Sequence, residues 1–352
     1  MKKTITWVAI LVFLVINTGC STTTTQRNTS QPTLTNPNRG NSSTSNRPPT
    51  PSSVHLKLGN PSGAAANKPN NYLMVKPQYA LSYNRDKGIP NWASWQLNRS
   101  WLGNTDRTND FRPDSELPDG WYRVRGSEYR RSGYDRGHVV PSGDRTNSEA
   151  NNSATFLMTN MVPQSPDNNR DYWRELEEYG RDLVEQGNEL YIIAGGYGEK
   201  GKIGNDKVSV PARLYKIIVV TNPRTGINGI NNSTKVIAID TPNREGNGDW
   251  EDFITTVDAI EKKTGYDFLS NIDKSVQSVI ESKAYRLKTS NNRSKTTTKQ
   301  SNKNCSPAYP GVCIPPPPPD LNCGDISYRN FKVLPPDPHN FDGNKDGVAC
   351  VR

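Results

Sequence analysis

The stretch GYDRGHVVPSGDRT, residues 133 to 146, holds one of only three histidines in 352 residues. An imidazole that is neutral near pH 7 can take a proton from water, which makes it the usual general base. His138 follows Arg136 by two positions and precedes the strand-like pair Val139-Val140, an unusual place for a core histidine. Asn160 lies 22 residues downstream, Asn169 lies 31 downstream, and Glu177 is eight beyond Asn169. Eight helical residues turn through about 80°, so Asn169 and Glu177 can flank one face. A base, an amide oxygen, a carboxylate and a guanidinium around one point are the parts that phosphodiester hydrolysis requires. The base deprotonates water, and a hard cation on oxygen ligands steadies the leaving oxygen. Arginine grips the phosphate as charge develops. One asparagine carbonyl with a water-bridged glutamate suits magnesium, which keeps several of its waters. The chain has no HExxH motif, no cysteine pair before residue 305 and no phosphate-binding GK[ST] loop, so zinc and nucleoside-triphosphate chemistry find no footing.

These groups need elements to position them. NNRDYWRELEEYGRDLVEQG, residues 168–187, predicts one helix closed by Gly187, with Trp173, Leu176, Tyr179 and Leu183 as its buried stripe. WEDFITTVDAIEKKTG, residues 250–265, predicts a second helix, also closed by a glycine. ELYIIAGGYG, RLYKIIVVTN and KVIAIDTPN read as strands bounded by Gly, Pro and Asn. Strands and helices mix without regular alternation, which gives an α+β class. Trp92, Trp95 and Trp101 fit a core better than a base-stacking platform, and Asp135 fits a loop anchor better than a ligand.

Composition divides the chain. Residues 21–70 are rich in Thr, Ser, Asn and Pro, and residues 288–304 are polar and basic, so both are expected to be disordered tethers around a folded domain at 71–287. His55 falls in the first tether and is expected to have no role. The net charge of +9 is misleading as an invitation to nucleic acid. Lys2 and Lys3, five basic residues in 21–70 and six in 286–304 have no acid among them and exceed the whole excess, so the remainder is mildly acidic. Any phosphate-binding surface must be a local patch.

Residues 1–20, MKKTITWVAILVFLVINTGC, read as an export signal whose apolar run from Ile5 to Ile16 is too short to span a bilayer. A cysteine closing such a run resembles the bacterial lipoprotein signal, although Asn17 stands where leucine is usual. The resemblance implies a membrane anchor through lipidated Cys20, at the cell surface or in the periplasm; an ordinary signal cut near Cys20, with secretion, is the alternative. Setting Cys20 aside leaves Cys305, Cys313, Cys323 and Cys350, an even set in the last 48 residues that suits two disulfides in an oxidising compartment.

The central stretch resembles the DRGH signature of the DNA/RNA non-specific endonucleases, a ββα-metal nuclease family. The likeness continues in order through NWASWQLNRSWLG, DRTNDFRPD, GYDRGHVVPSGDRT, ATFLMTNMVPQSPDNNRDYWRELE, ELYIIAGG and TGYDFL, nearly all of residues 71–287. It implies a ββα-metal core with a mixed or antiparallel sheet. It also implies His138 as general base, Asn169 as direct ligand of Mg2+ (or Mn2+), and Glu177 holding the metal's waters. Arg107 is the expected transition-state arginine, with Arg112 as competitor; Arg136 positions phosphate, and Asn160 belongs to the hydrogen-bond shell of the site. DNA and RNA should both be cut, to 5′-phosphate products. The competing class is a catalytically inactive nucleic-acid-binding surface lipoprotein. A protein inhibitor is a partner on which the sequence is silent.

In the tail, Asp342, Asn344 and Asp346 alternate ahead of Gly347, matching positions 1, 3, 5 and 6 of a calcium loop, while the twelfth position would be residue 353. Residues 305–352 resemble the excalibur module, an extracellular calcium-binding region. Val351 replaces its usual glutamate and Asn344 its middle aspartate, which should weaken Ca2+ binding. The resemblance implies disulfides Cys323–Cys350 around the motif and Cys305–Cys313 before the proline run. A disulfide-held loop stabilised by Asx turns is the alternative to a calcium site.

Overall fold

The computed structural model describes residues 53–246, 248–286, 305–318, 320–323, 326, 328, 330–343 and 347–350. The signal, Cys20, residues 21–52, the tether 288–304 and the tail positions Asn344 and Asp346 lie outside them.

The strands of the main folded region are β1 (Tyr72–Val75), β2 (Ala80–Asn84), β3 (Ile89–Leu97), β4 (Asp135–His138), β5 (Met161–Gln164), β6 (Glu189–Tyr197), β7 (Lys202–Ile203), β8 (Val208–Ser209), β9 (Arg213–Thr221), β10 (Lys235–Pro242) and β11 (Ile254–Thr255). Its helices are α1 (Glu149–Ala154), α2 (Pro166–Arg170), α3 (Tyr172–Glu185), α4 (Val257–Thr264) and α5 (Lys274–Glu281). Seven strands form one antiparallel sheet in the order β1-β2-β3-β6-β9-β10-β11. β4 and β5 pair apart from it, and α2 and α3 follow directly.

Both faces of the sheet are covered, which is why β6 and β9 read as near-continuous apolar runs. Alternation survives within them. Leu190, Ile192 and Ala194 of β6 pack with Leu176 and Leu183 of α3, whereas Tyr191 and Ile193 pack with Val257 and Ile260 of α4 and Ile280 of α5. In β9, Leu214 and Ile218 face the α3 side. Lys216 sits between them in the same period, so a buried ammonium is delivered beneath α3. Trp92 and Trp95 are buried on opposite faces, as core.

Three expectations are corrected. Residues 53–70 are folded, not tether: Leu56, Leu58 and Ala64 enter the α4–α5 side of the core. His55 is buried there, with Nε2 on the Pro77 carbonyl at 2.8 Å and Nδ1 accepting from Gln96 N at 3.2 Å. Composition misled because a few apolar residues carry the docking within a Ser- and Pro-rich run. The helix expected over 168–187 is two helices that break at Asp171, whose φ and ψ are both −106°. Buried Asn168 ties α2 to β10 through Thr241 Oγ1 and the Pro242 carbonyl, and α3 then sets off to lay its apolar stripe on the sheet. The helix expected over 250–265 begins only at Val257, because Ile254 and Thr255 add a strand to β10. Gly265 closes it with φ +73°, the left-handed conformation glycine tolerates.

The described tail residues form a small unit with strands β12 (Phe331–Lys332) and β13 (Val348–Ala349) around Tyr309, Phe331 and Phe341. Its disulfides are Cys305–Cys313 and Cys323–Cys350, in the expected pairing. Asp342 Oδ2 accepts from Gly347 N at 2.8 Å, joining the first and sixth positions of the loop.

Candidate active site

A cleft of about 670 Å³ opens where the β4–β5 hairpin meets α2 and α3, and it brings together His138, Asn169, Glu177, Arg107 and Arg136. The motif that carries His138 explains itself residue by residue. His138 ends β4 opposite Met161. Its ring is wedged edge-to-face between Phe111 and Phe156, with centroids 5.5 and 4.7 Å away. Nε2 is buried with no hydrogen-bond partner. The Arg136 backbone interacts with the ring and favours its protonated form. Burial first, then the charges of Arg107 and Arg136, hold the imidazole pKa well below the ordinary histidine value. This histidine is neutral at pH 7. Gly137 beside it has no room for a side chain, because a Cβ would lie 2.1 Å from Gln164 Oε1.

Asp135 is an anchor. Its carboxylate accepts Nε and Nη2 of Arg170, both at 2.8 Å, and Nδ2 of Asn169 at 2.9 Å. A carboxylate only accepts, so the Asn169 amide must turn its NH2 toward Asp135, which leaves Oδ1 for another partner. Glu177, one helix further on, accepts Lys216 Nζ through Oε1 at 3.1 Å. Lys216 is 1 % exposed and lies 4.2 Å over the Trp173 ring. Burial pushes the Glu177 carboxyl upward and the Lys216 ammonium downward, and each opposite charge draws the other back. Arg181 pairs with Asp144 at 3.1 Å, and Asp144 also accepts the Trp95 indole at 2.9 Å. The SGDRT segment therefore braces α3 from below. Its Arg145, fully buried, donates to the Gln78 and Gln96 carbonyls and stacks 4.1 Å over Trp101.

Arg107 lies along the cleft with Nη1 on Ser142 Oγ at 2.6 Å and Nε on Asn109 Oδ1 at 2.8 Å. Arg112 does not line it. Its Nη1 is spent on Asp110 and on the Ser153 carbonyl at the end of α1. Arg136 projects into the cleft while its guanidinium stacks 4.0 Å over Phe111. Asn160, expected in the hydrogen-bond shell of the site, does not line the cleft itself. It is wholly buried, with Nδ2 on the Val140 and Thr155 carbonyls and Oδ1 on Val140 N, so its amide pins the hairpin behind His138. Sequence reasoning missed Lys216, Arg181, Asp144 and the two phenylalanines. For Lys216 a signal existed: a lone charge inside LYKIIVV, a run that otherwise reads as core.

A second groove of about 930 Å³ shares Arg107, Arg136, Asn169 and Arg170 with the cleft and adds Arg130 and Tyr134. The two form one basic, partly aromatic surface, the local patch that the acidic remainder of the domain demanded. Guanidinium donors, a neutral imidazole, an amide oxygen and a carboxylate thus stand around one opening.

Residues 60–275 match the DNA/RNA non-specific endonuclease family. A nuclease of Nostoc sp. is 58 % identical over 235 residues, covering 66 % of this chain and 86 % of that one. The mitochondrial nuclease EXOG of Danio rerio is 34 % identical over 188 residues, 48 % of this chain and 52 % of that one. Among solved structures, the crystal structure of the EndoG/EndoGI complex, described as showing the mechanism of EndoG inhibition, aligns with TM-score 0.54 and 26 % identity over 65 % of this chain and 96 % of that one.

Proposed function

The chain belongs to the DNA/RNA non-specific endonuclease family and is a nuclease, and from that premise we propose that it cuts DNA and RNA by water attack with His138 as the base. The observation that carries the proposal is a buried imidazole, held well below its ordinary pKa, that lines the cleft beside Arg107 and Arg136. The His138 ring takes a proton from water, and the Arg136 backbone favours the resulting imidazolium. Arg107 and Arg136 face the same opening and donate to the phosphate oxygens as negative charge builds. Arg107 is favoured over Arg112 for this role because only Arg107 lines the cleft.

The donor set fits a hard divalent cation. Asn169 Oδ1 is turned free by Asp135, and Glu177 offers a carboxylate that reaches through water. Magnesium or manganese, when bound there, neutralises charge on the leaving oxygen. No step uses a ribose 2′-hydroxyl, so both nucleic acids qualify, with 5′-phosphate and 3′-hydroxyl ends. Incubating plasmid and RNA with the purified protein, with and without EDTA, tests the proposal: cleavage undiminished by EDTA excludes the metal, and binding without cleavage favours an inactive nucleic-acid binder.

Export with lipidation of Cys20 would place this activity outside the cytoplasm on a membrane, with the excalibur-like tail as a calcium-responsive appendage. A protein inhibitor, if one exists, would have to cover the arginine-lined cleft.

A further inference from the structure

On the face of the sheet opposite α3, α4 and α5 bring Asp258, Glu261 and Glu281 together, with a ligand oxygen of each within 4.8 Å of the others. Asp258 and Glu261 are three apart on α4 and share a face, and Glu281 ends α5. Among the described residues none of the three makes an ion pair; the nearby Lys274 is taken by Asp267 at 3.2 Å. Glu261 accepts from Phe268 N at 2.8 Å and is drawn down by the Lys274 charge, but three carboxylates at that spacing still repel one another, and burial followed by its acidic neighbours pushes the Glu281 pKa to about 7.

A second observation concerns Gln277, one turn before Glu281. It is 4 % exposed and lines the same groove. Its Nε2 already serves Asp267 Oδ1 at 2.6 Å and Glu281 Oε1 at 3.0 Å, yet its Oε1 is buried with no partner. An amide that leaves a buried acceptor unused beside three carboxylates lacks a positive partner. Oxygens on opposite sides of a calcium ion stand about 4.6–5.2 Å apart, given Ca–O distances of 2.3–2.6 Å, so one ion can touch all three carboxylates. Calcium accepts such irregular, all-oxygen surroundings; magnesium demands an octahedron and its own waters.

We propose that Asp258, Glu261, Glu281 and the Gln277 carbonyl oxygen form a structural calcium site that clamps α4 to α5, separate from the cleft and from the tail loop. The test is calorimetric melting of the full chain in saturating magnesium, with and without calcium chloride, so that the catalytic cation is constant. Calcium should raise the wild-type melting temperature by about 2–4 °C once it exceeds the dissociation constant several-fold. Asp342→Asn, in the tail, should keep that gain. Asp258→Asn, an exposed and structurally mild change, should lose the gain while cutting plasmid in magnesium at the wild-type rate. Glu281→Gln should lose it too, and should melt above wild type without calcium because a buried charge is gone. A calcium gain kept in full by both cluster variants, or no gain in wild type, overturns the site.

Discussion

The Asn169 amide nitrogen donates to Asp135 Oδ2 at 2.9 Å across 34 residues of sequence. Asp135 is the first residue of the DRGH stretch and Asn169 the expected metal ligand, so one bond sets the orientation of the ligand from the motif that holds the base. Asp135→Ala should release the amide and Arg170 together. The concentration of magnesium that gives half-maximal cleavage should rise about 10–100-fold, the usual effect of losing a partner that orients a ligand, and added magnesium should restore much of the rate. An unchanged magnesium titration would show that Asp135 serves the fold alone.

Arg107 and Arg112 sit five residues apart and answer to different partners. Arg107→Ala should lower kcat by about 10²–10³-fold with little change in melting temperature, the loss expected for a donor that acts on developing charge. Arg107→Lys should recover little, because a point charge does not reproduce the fork. Arg112→Ala should behave oppositely: cleavage near wild type, with stability reduced through the lost contacts to Asp110 and Ser153. Equal kcat losses in both would remove the distinction.

Much of this site was legible because histidine is scarce in the chain and the family motif sets the order of the rest. Asn169 and Arg107 have many competitors of their own kind and were assigned from that order, and the structure brings His138, Asn169, Glu177, Arg107 and Arg136 to one opening. What was not legible depended on three-dimensional partners. The break at Asp171 leaves no local trace, since the helical period runs through it and the cause lies in Asn168 reaching Thr241, 73 residues away. Asn160 was placed in the site's hydrogen-bond shell by the motif, but that its three backbone bonds brace the hairpin behind His138 could not be read from it. His55 lay in a polar run and became core because its neighbours Leu56 and Leu58 found the sheet.

Cys20 gives a clean prediction for localisation. Wild type expressed in a bacterium with a lipoprotein pathway should partition into detergent and carry a lipid mass on Cys20, whereas Cys20→Ser should be released soluble or remain unprocessed. A fully soluble, unlipidated wild type would favour the ordinary signal.

The tail should be dispensable for cleavage. Its disulfides hold a small core around Tyr309, and each bridge is worth roughly 2–4 kcal/mol to a unit of that size. Replacing Cys323 and Cys350 together by serine should open the tail to proteolysis and leave the rate of plasmid cutting within about twofold, because Asn330 is the one described tail residue that lines the cleft and none of the expected catalytic groups lies in the tail. A larger fall would mean that the tail takes part in the reaction.

The final prediction concerns acid, and its sign follows from His138. Burial and two neighbouring arginines depress its pKa, so in the folded protein the ring stays neutral as pH falls through 6.5. Cleavage should therefore hold steady as pH falls from 8 through about 6.5, the ordinary histidine range, and decline only below it. Stability moves in the same direction. The unfolded chain, with an ordinary histidine, binds a proton below about pH 6.5 that the folded chain refuses, so this residue favours folding above that pH and the contribution is lost as pH falls. His138→Ala should remove that stretch of the pH–stability curve and cut the rate by about 10²–10⁴-fold, the usual worth of a general base, while the protein still binds DNA. Wild-type kcat centred on an apparent pKa at or above 6.5, or a variant that keeps the wild-type rate, would take the proton-accepting role away from His138.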